Sequence, residues 1–358
     1  MVLEVLEYEK KRYMKIIIPM AGKGTRLHPH TLKTPKPFFP IVGKTILKRL
    51  LENLSKLIKI FSIDEIVFIV SSNNNNGNYN IEKNLIKLSN EIGVHPIIYY
   101  QEKPLGTADA LLKAKNSLIG PIIIIYSDTL FYNNNFENEL DSKLDNIIWT
   151  KKVNNPNIFG VVKCNSLGLI THFIEKPNDY ISNLAIIGIY YFKNSTLLKK
   201  ELEYILDNNI KNEQGEYQLT SALENMRKKG IKFFSKQVNE WMDFGCKKTI
   251  ISSNSKILSI EYSKKENKLI HKKSIIKNSL IINPCYIDEN TIIKNSIIGP
   301  YVSIGKYTKI INSNIKQSII LDNTEINSVI LHYSMIGNYC YYIEKIKELN
   351  LGDYSTSR

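Results

Sequence analysis

Two basic side chains in one loop raise the question of what chemistry this chain performs. The segment PMAGKGTRLHPHTLKTPKPFFPIVGK, residues 19–44, follows the apolar run KIIIPM and sets Arg26 and Lys36 among small residues and prolines. Gly22 and Gly24 flank Lys23 at a junction between strand and helix, where glycine lets the backbone approach a ligand or reach positive φ. Exposed N–H groups in such a turn form a nest for an anion. Arg26 adds a planar donor fork suited to phosphate oxygens, and Lys36, stiffened between Pro35 and Pro37, adds a point charge. Two acids complement these cations. Asp128 ends PIIIIYSD, after four isoleucines and before a loop, which suits a ligand for a hard cation. Asp243 in WMDFG makes a carboxylate pair with it, and two repelling carboxylates near phosphates call for a cation between them.

These groups need a scaffold, and the first two-thirds of the chain supplies one. KIIIPM (15–20), EIVFIV (65–70), HPIIYYQ (95–101) and PIIIIYSD (121–128) read as buried strands. Between them, residues 45–60, 81–93 and 106–118 carry helical spacing, the second closed by Gly93. This alternation predicts an α/β, Rossmann-like doubly wound domain over residues 14–250. Ligands bind such sheets at the carboxyl ends of the strands, so the loops after Met20, Tyr100 and Tyr126 are the places to look. Residues 1–13 read as an N-terminal extension and 251–270 as a helical or irregular connector.

From residue 271 the helical period vanishes. Ile or Leu recurs at 287, 293, 298, 304, 310, 315, 320, 326, 331 and 336, and Ser before two apolar residues recurs at 274, 279, 296, 318, 328 and 334. So short a repeat predicts a solenoid over 271–340, about four coils of roughly eighteen residues, with one inward aliphatic per strand. Residues 341–358 form a tail that could cap the last coil.

Bulk properties narrow the function classes. The 358 residues carry a net charge of +14 with ordinary apolar content of 43%, so the chain is globular. The lysines are spread along the chain without a patch, so no nucleic-acid partner is expected. No apolar run reaches membrane length, and no membrane partner is expected. Cys164, Cys246, Cys285 and Cys340 form no CxxC pair, which predicts free thiols and a cytoplasmic setting. His28, His30 and His95 lack partners at metal or triad spacing.

The basic loop is neither a Walker A loop nor the dinucleotide fingerprint, because the spacer and terminal Gly-Lys-Ser/Thr of the one and the third Gly of the other are missing. GKGTRLHPHTLKTPKPFFPIVGKTIL resembles instead the signature of sugar-1-phosphate nucleotidyltransferases, and the later motifs follow in that family's order over almost all of residues 14–245. The resemblance implies a nucleotide loop of Ala21, Gly22, Lys23, Gly24, Thr25 and Arg26, with Lys36 at the α-phosphate. QEKPLGTADAL implies Gln101, Gly106 and Thr107 near the base. YSDTLF and WMDFG imply Asp128 and Asp243 as Mg²⁺ ligands. FGVV and FIEKP imply Gly160, Glu175 and Lys176 on the sugar-phosphate side, while residues 182–192 and 215–223 line the sugar pocket. The repeat region resembles the left-handed parallel β-helix of hexapeptide proteins. The partners so implied are an NTP and a sugar 1-phosphate, with a homo-oligomer expected.

Within that family the motifs point several ways. HPHTLKTPKP and AIIGIYYF look most like glucose-1-phosphate thymidylyltransferases, the favoured assignment. EKPLGTADAL with a short β-helix also looks like mannose-1-phosphate guanylyltransferases, and Ala21 with the Ala-Gly-x-Gly form like N-acetylglucosamine-1-phosphate uridylyltransferases. A non-catalytic regulatory subunit is the rival of another class, but Arg26, Lys36, Asp128, Lys176 and Asp243 are all present. Acyl transfer by the β-helix is not expected, since it holds only His271 and His332.

Overall fold

The computed structural model describes residues 14–72, 80–140, 143–264 and 269–345. The extension 1–13, the asparagine-rich turn at 73–79 and the tail beyond 345 lie outside the described residues. The chain divides into two compact units, one of residues up to Phe39 and Thr45–Asp243, the other of Pro40–Lys44 and residues from Phe244 onward.

The first unit is built on a nine-stranded sheet. Four strands form its parallel heart: β1 (Lys15–Pro19), β2 (Glu65–Ser71), β3 (His95–Gln101) and β4 (Ile122–Ile125). β1 lies between β2 and β4, and β3 lies outside β2. The chain therefore winds outward from β1 in one direction, then returns to lay β4 on its other side. That reversal opens a crevice at the carboxyl ends of β1 and β4, as a doubly wound sheet requires.

Helix α1 (Ile46–Ile60) begins where the Thr45 hydroxyl accepts the Lys48 N–H at 3.1 Å, and its buried stripe includes Leu47, Leu50, Leu54 and Leu57. Helices α2 (Ile81–Glu91) and α3 (Thr107–Lys113) follow β2 and β3. α3 ends before residue 118 because the N–H groups of Ala114, Lys115 and Ser117 bond back only three residues, which tightens the chain into turns.

After β4 come β5 (Thr129–Tyr132), the short α4 (Phe136–Leu140), β6 (Asn146–Lys152), β7 (Gly160–Cys164), β8 (Ile170–Glu175) and β9 (Leu184–Phe192). Then follow α5 (Ser195–Asp207), α6 (Leu219–Lys228), β10 (Phe234–Gln237) and β11 (Glu240–Asp243). β9 pairs antiparallel with β4, β6 and β7 and so extends the parallel heart into a mixed sheet. The buried cluster of Ile17, Val67, Ile124, Leu111, Leu198, Leu202, Leu219 and Leu223 joins one face of the sheet to α3, α5 and α6. Ile16 and Ile18 alternate with Ile17 and face the opposite side.

In the second unit, α7 (Lys247–Ser263) precedes a prism of stacked parallel strands. One wall stacks Ile275–Lys277, Ile292–Lys294, Lys309–Ile311, Glu325–Asn327 and Tyr341–Ile343; the other two walls have four strands each. This is a left-handed parallel β-helix. Its coils repeat at sixteen or seventeen residues rather than eighteen, as the pairing of Ile293 with Ile310 and of Ile310 with Ile326 fixes. Its core holds Ile287, Ile293, Ile298, Ile304, Ile310, Ile315, Ile320 and Ile326, with Leu331 and Ile336 packed against them. The recurring serines serve the corners. The Ser279 and Ser296 hydroxyls each accept the N–H of the serine one coil on, Ser296 and Ser313, at 3.1 Å.

Candidate active site

Lys36 lies in a single 3-10 turn, Lys36–Phe38, entered through Pro35 in an extended conformation. Its ammonium bonds and pairs with the Asp128 carboxylate, which lies just beyond β4. The two residues are ninety-two positions apart in sequence. The crevice between β1 and β4 brings them together. Burial pushes the Asp128 carboxyl up, but the Lys36 charge and hydrogen bond, with Arg26 nearby, hold it below its ordinary range. Arg26 itself is exposed, as are Gly22, Lys23 and Thr25, while Ala21 is buried.

The loop before Lys36 folds back on it. Gly24 takes φ +63°, and its carbonyl accepts the Thr31 hydroxyl at 2.8 Å and the Leu27 N–H at 2.9 Å. Gly22 adopts no left-handed conformation, so of the two glycines only Gly24 uses that freedom.

Asp243 ends β11, which pairs antiparallel with β5 so that Asp243 stands opposite Thr129. Thr129 is the residue after Asp128. Strand pairing thus sets the two acids on neighbouring positions of adjacent segments. Among the described residues no group of three or more His, Cys, Asp or Glu could hold a metal ion. Two carboxylates suit Mg²⁺, which keeps waters and substrate phosphates as its other ligands.

Gln101, Gly106 and Thr107 also come together. The Gln101 amide nitrogen donates to the Gly106 carbonyl at 3.1 Å and to the Asp109 carboxylate at 2.8 Å. Gly106 has φ +112°, and a Cβ there would lie 2.4 Å from the Tyr217 carbonyl oxygen. Only glycine fits. The Thr107 hydroxyl is occupied by protein, since it donates to Gln218 Oε1 at 3.1 Å and accepts the Leu219 N–H at 2.9 Å. It holds residues 217–219 rather than pointing a free group outward.

On the other side, Gly160 pairs with Glu175 across β7 and β8. The Glu175 carboxylate accepts from the Thr220 hydroxyl. Lys176 follows at φ +41°, a costly conformation for a lysine, with its N–H bonded to the Phe159 carbonyl at 3.1 Å. Its ammonium stands 3.9 Å from Glu175 and is half-exposed. Among the described residues no hydrogen bond or ion pair joins this group to Lys36 or Asp128, but Tyr126, one of a tyrosine pair, interacts electrostatically with both Glu175 and Asp128.

Tyr126 opens YSDTLF and Tyr190 lies within AIIGIYYF, but neither tyrosine is assigned a role by the sequence. Tyr126 and Tyr190 have ring centroids 5.7 Å apart. Burial pushes both phenols up, with Glu175 adding to the effect on each. Room for Tyr126 comes from Gly188 in β9, at φ +81°, where a Cβ would lie 2.9 Å from the tyrosine ring. The pairing of β9 with β6 shifts register between Ile186 and Tyr190, a bulge of the kind that re-aims side chains beside sites. The sequence signal was a lone glycine within an apolar strand.

Residues 15–260 match the family model described as nucleotidyl transferase. The Bifunctional protein GlmU of Methanococcus maripaludis is 33% identical over 91% of this chain and 76% of that protein. A bifunctional sugar-1-phosphate nucleotidylyltransferase/acetyltransferase of Sulfurisphaera tokodaii is 31% identical, again over 91% of this chain and 78% of its own length. A crystal structure of a UDP-glucose pyrophosphorylase complexed with UDP-glucose overlays with a TM-score of 0.57, covering 71% of this chain and all of that one at 22% identity.

Proposed function

The chain belongs to the nucleotidyl transferase family and is a sugar-1-phosphate nucleotidyltransferase, and we propose that its crevice joins a pyrimidine nucleotide to a hexose 1-phosphate. A sugar-phosphate oxygen attacks the α-phosphorus of the triphosphate. The new P–O bond forms as the bond to the β-phosphate oxygen breaks, and pyrophosphate leaves with that electron pair. No proton need move, because the attacking oxygen is already anionic. Such transfers need alignment and charge neutralisation more than covalent help.

The Lys36–Asp128 pair at the reversal of strand order carries this reading. It keeps a cation and an anion poised where phosphates arrive. Arg26 and the N–H groups of residues 21–25 would hold the β- and γ-phosphates. Lys36 would meet the α-phosphate as charge builds there. Lys176, with Glu175 and Gly160, would hold the sugar phosphate against the triphosphate's repulsion. Gln101 and Gly106 would face the base, while Thr107 braces the wall behind them. Asp128 and Asp243 would hold Mg²⁺, which neutralises phosphate charge when bound. The same reading assigns the β-helix to assembly of like chains, which sedimentation measures.

Thymidylyl transfer to glucose 1-phosphate is the assignment favoured by HPHTLKTPKP and AIIGIYYF; Ala21 favours uridylyl transfer to an N-acetylated sugar. The test is pyrophosphate release with Mg²⁺ and each of dTTP, UTP, GTP, ATP and CTP, crossed with glucose, mannose and N-acetylglucosamine 1-phosphates. Release confined to dTTP or UTP with one sugar supports the proposal. No release from folded protein with any pair defeats it.

A further inference from the structure

Gln101 closes β3 and is 5% exposed, yet one of its polar atoms has no partner among the described residues. Its amide nitrogen has two hydrogens, and both are taken by the Gly106 carbonyl and the Asp109 carboxylate, at 3.1 and 2.8 Å. A glutamine's orientation is settled by its partners, and these permit only one: a peptide carbonyl and a carboxylate that pairs with a lysine have no hydrogen to give. Turning the amide over would set its oxygen against two other oxygens.

Asp109 is itself held in place. It is 2% exposed, and Lys113, one turn along α3, pairs with it at 3.4 Å. The Gln101 carbonyl oxygen, by contrast, accepts no hydrogen bond among the described residues and is not among the fully enclosed polar atoms. The nearby Gly106 N–H likewise donates to nothing among the described residues.

We propose that Asp109 is a positioning residue that sets which nucleobase is read, by locking the Gln101 amide with its oxygen toward the base. The inference rests on the assignment of Gln101 and Gly106 to the base. The site then presents a fixed acceptor, Gln101 Oε1, and a fixed donor, the Gly106 N–H. Uracil and thymine match this pair. Their ring N3–H is flanked by a carbonyl on each side, so it can donate to the glutamine while a carbonyl accepts from the glycine. Cytosine in the same pose sets the lone pair of its N3 against the lone pairs of Oε1. A site whose polar groups are left unpaired or opposed by the wrong ligand rejects it strongly.

The experiment measures kcat/KM by pyrophosphate release for UTP, dTTP, GTP, CTP and N3-methyluridine triphosphate, in the full chain and in Asp109→Asn, alongside thermal melting. The methylated nucleotide has no N3–H, so the parent chain should use it at least about tenfold less well than UTP. In Asp109→Asn the glutamine is free to turn, and the preference for UTP or dTTP over CTP should fall by about fivefold or more. A merely structural role would lower all nucleotides together; a preserved ratio therefore overturns the proposal. If the variant does not fold, the parent chain decides alone, since N3-methyluridine triphosphate used as well as UTP overturns it. Preference of the parent chain for CTP over UTP and dTTP also overturns it while leaving the transferase reading intact. Absence of release with every nucleotide would remove both.

Discussion

Both units place residues in the left-handed backbone region, but for different reasons. In the β-helix such residues come in columns. Asn278, Asn295, Asn312 and Ser328 share one corner; Asn290, Tyr307, Asn323 and Tyr339 a second; Tyr301, Gln317 and Tyr333 a third. Each repeats at the coil spacing, and asparagine, which tolerates this region, supplies many of them. In the first unit such residues follow no repeat; Ser62, Asn209 and several glycines take this region away from the candidate site, while Gly24, Gly106, Lys176 and Gly188 each lie beside a candidate substrate-binding group. A periodic fold spreads strain over equivalent corners. The site uses glycine's freedom at three positions and accepts strain at Lys176 alone.

This contrast can be broken from either side. The largest effect should come from Asp128→Asn, which keeps size but removes charge from the crevice. Turnover should fall by about a thousandfold or more with melting little changed, as assay and calorimetry together would reveal. Normal activity would remove Asp128 from the chemistry. Ile310→Ala in the β-helix should do the reverse. Ile310 is fully buried, so the cavity should cost about 2–4 kcal/mol of stability in denaturant titration while kcat stays unchanged in the folded protein.

Smaller effects sharpen the comparison. Lys176→Ala should raise the KM for sugar 1-phosphate about tenfold with little change for the nucleotide; equal loss for both would misplace it. Lys309→Met removes a half-exposed partner of Glu325, 2.8 Å away, and should change stability by about 0.5 kcal/mol or less.

Acid tests the Lys36–Asp128 pair as well. The Asp128 pKa is lowered in the fold, so its pairing stabilises above the ordinary carboxylate range and is lost as pH falls through the lowered value. The parent chain should therefore lose stability in acid more steeply than Asp128→Asn. Parallel acid curves would show that the pair contributes nothing.

The parallel strands and the β-helix were legible because both are local patterns. Unbroken runs such as Ile122–Ile125 and the recurring aliphatics at 298, 304, 310 and 315 state in one dimension which atoms leave water. The candidate site was half legible. Arg26, Lys36, Asp128 and Lys176 carry charges that announce phosphate chemistry, but Asp109, Tyr126 and Thr220, though inside the same motifs, have no local feature that marks their roles.

By itself the sequence determined the two architectures, their order and the residue types available for phosphate chemistry, since periodicity and loop composition act over a few neighbours. Only the tertiary structure decided the partners. Lys36 meets Asp128 across ninety-two residues, Thr220 meets Glu175 across forty-five, and Gly188 yields its side-chain space to Tyr126. Those choices depend on how strands cross and where a bulge falls. They also decide which buried donor finds an acceptor, and such long-range pairings leave no mark on the local pattern.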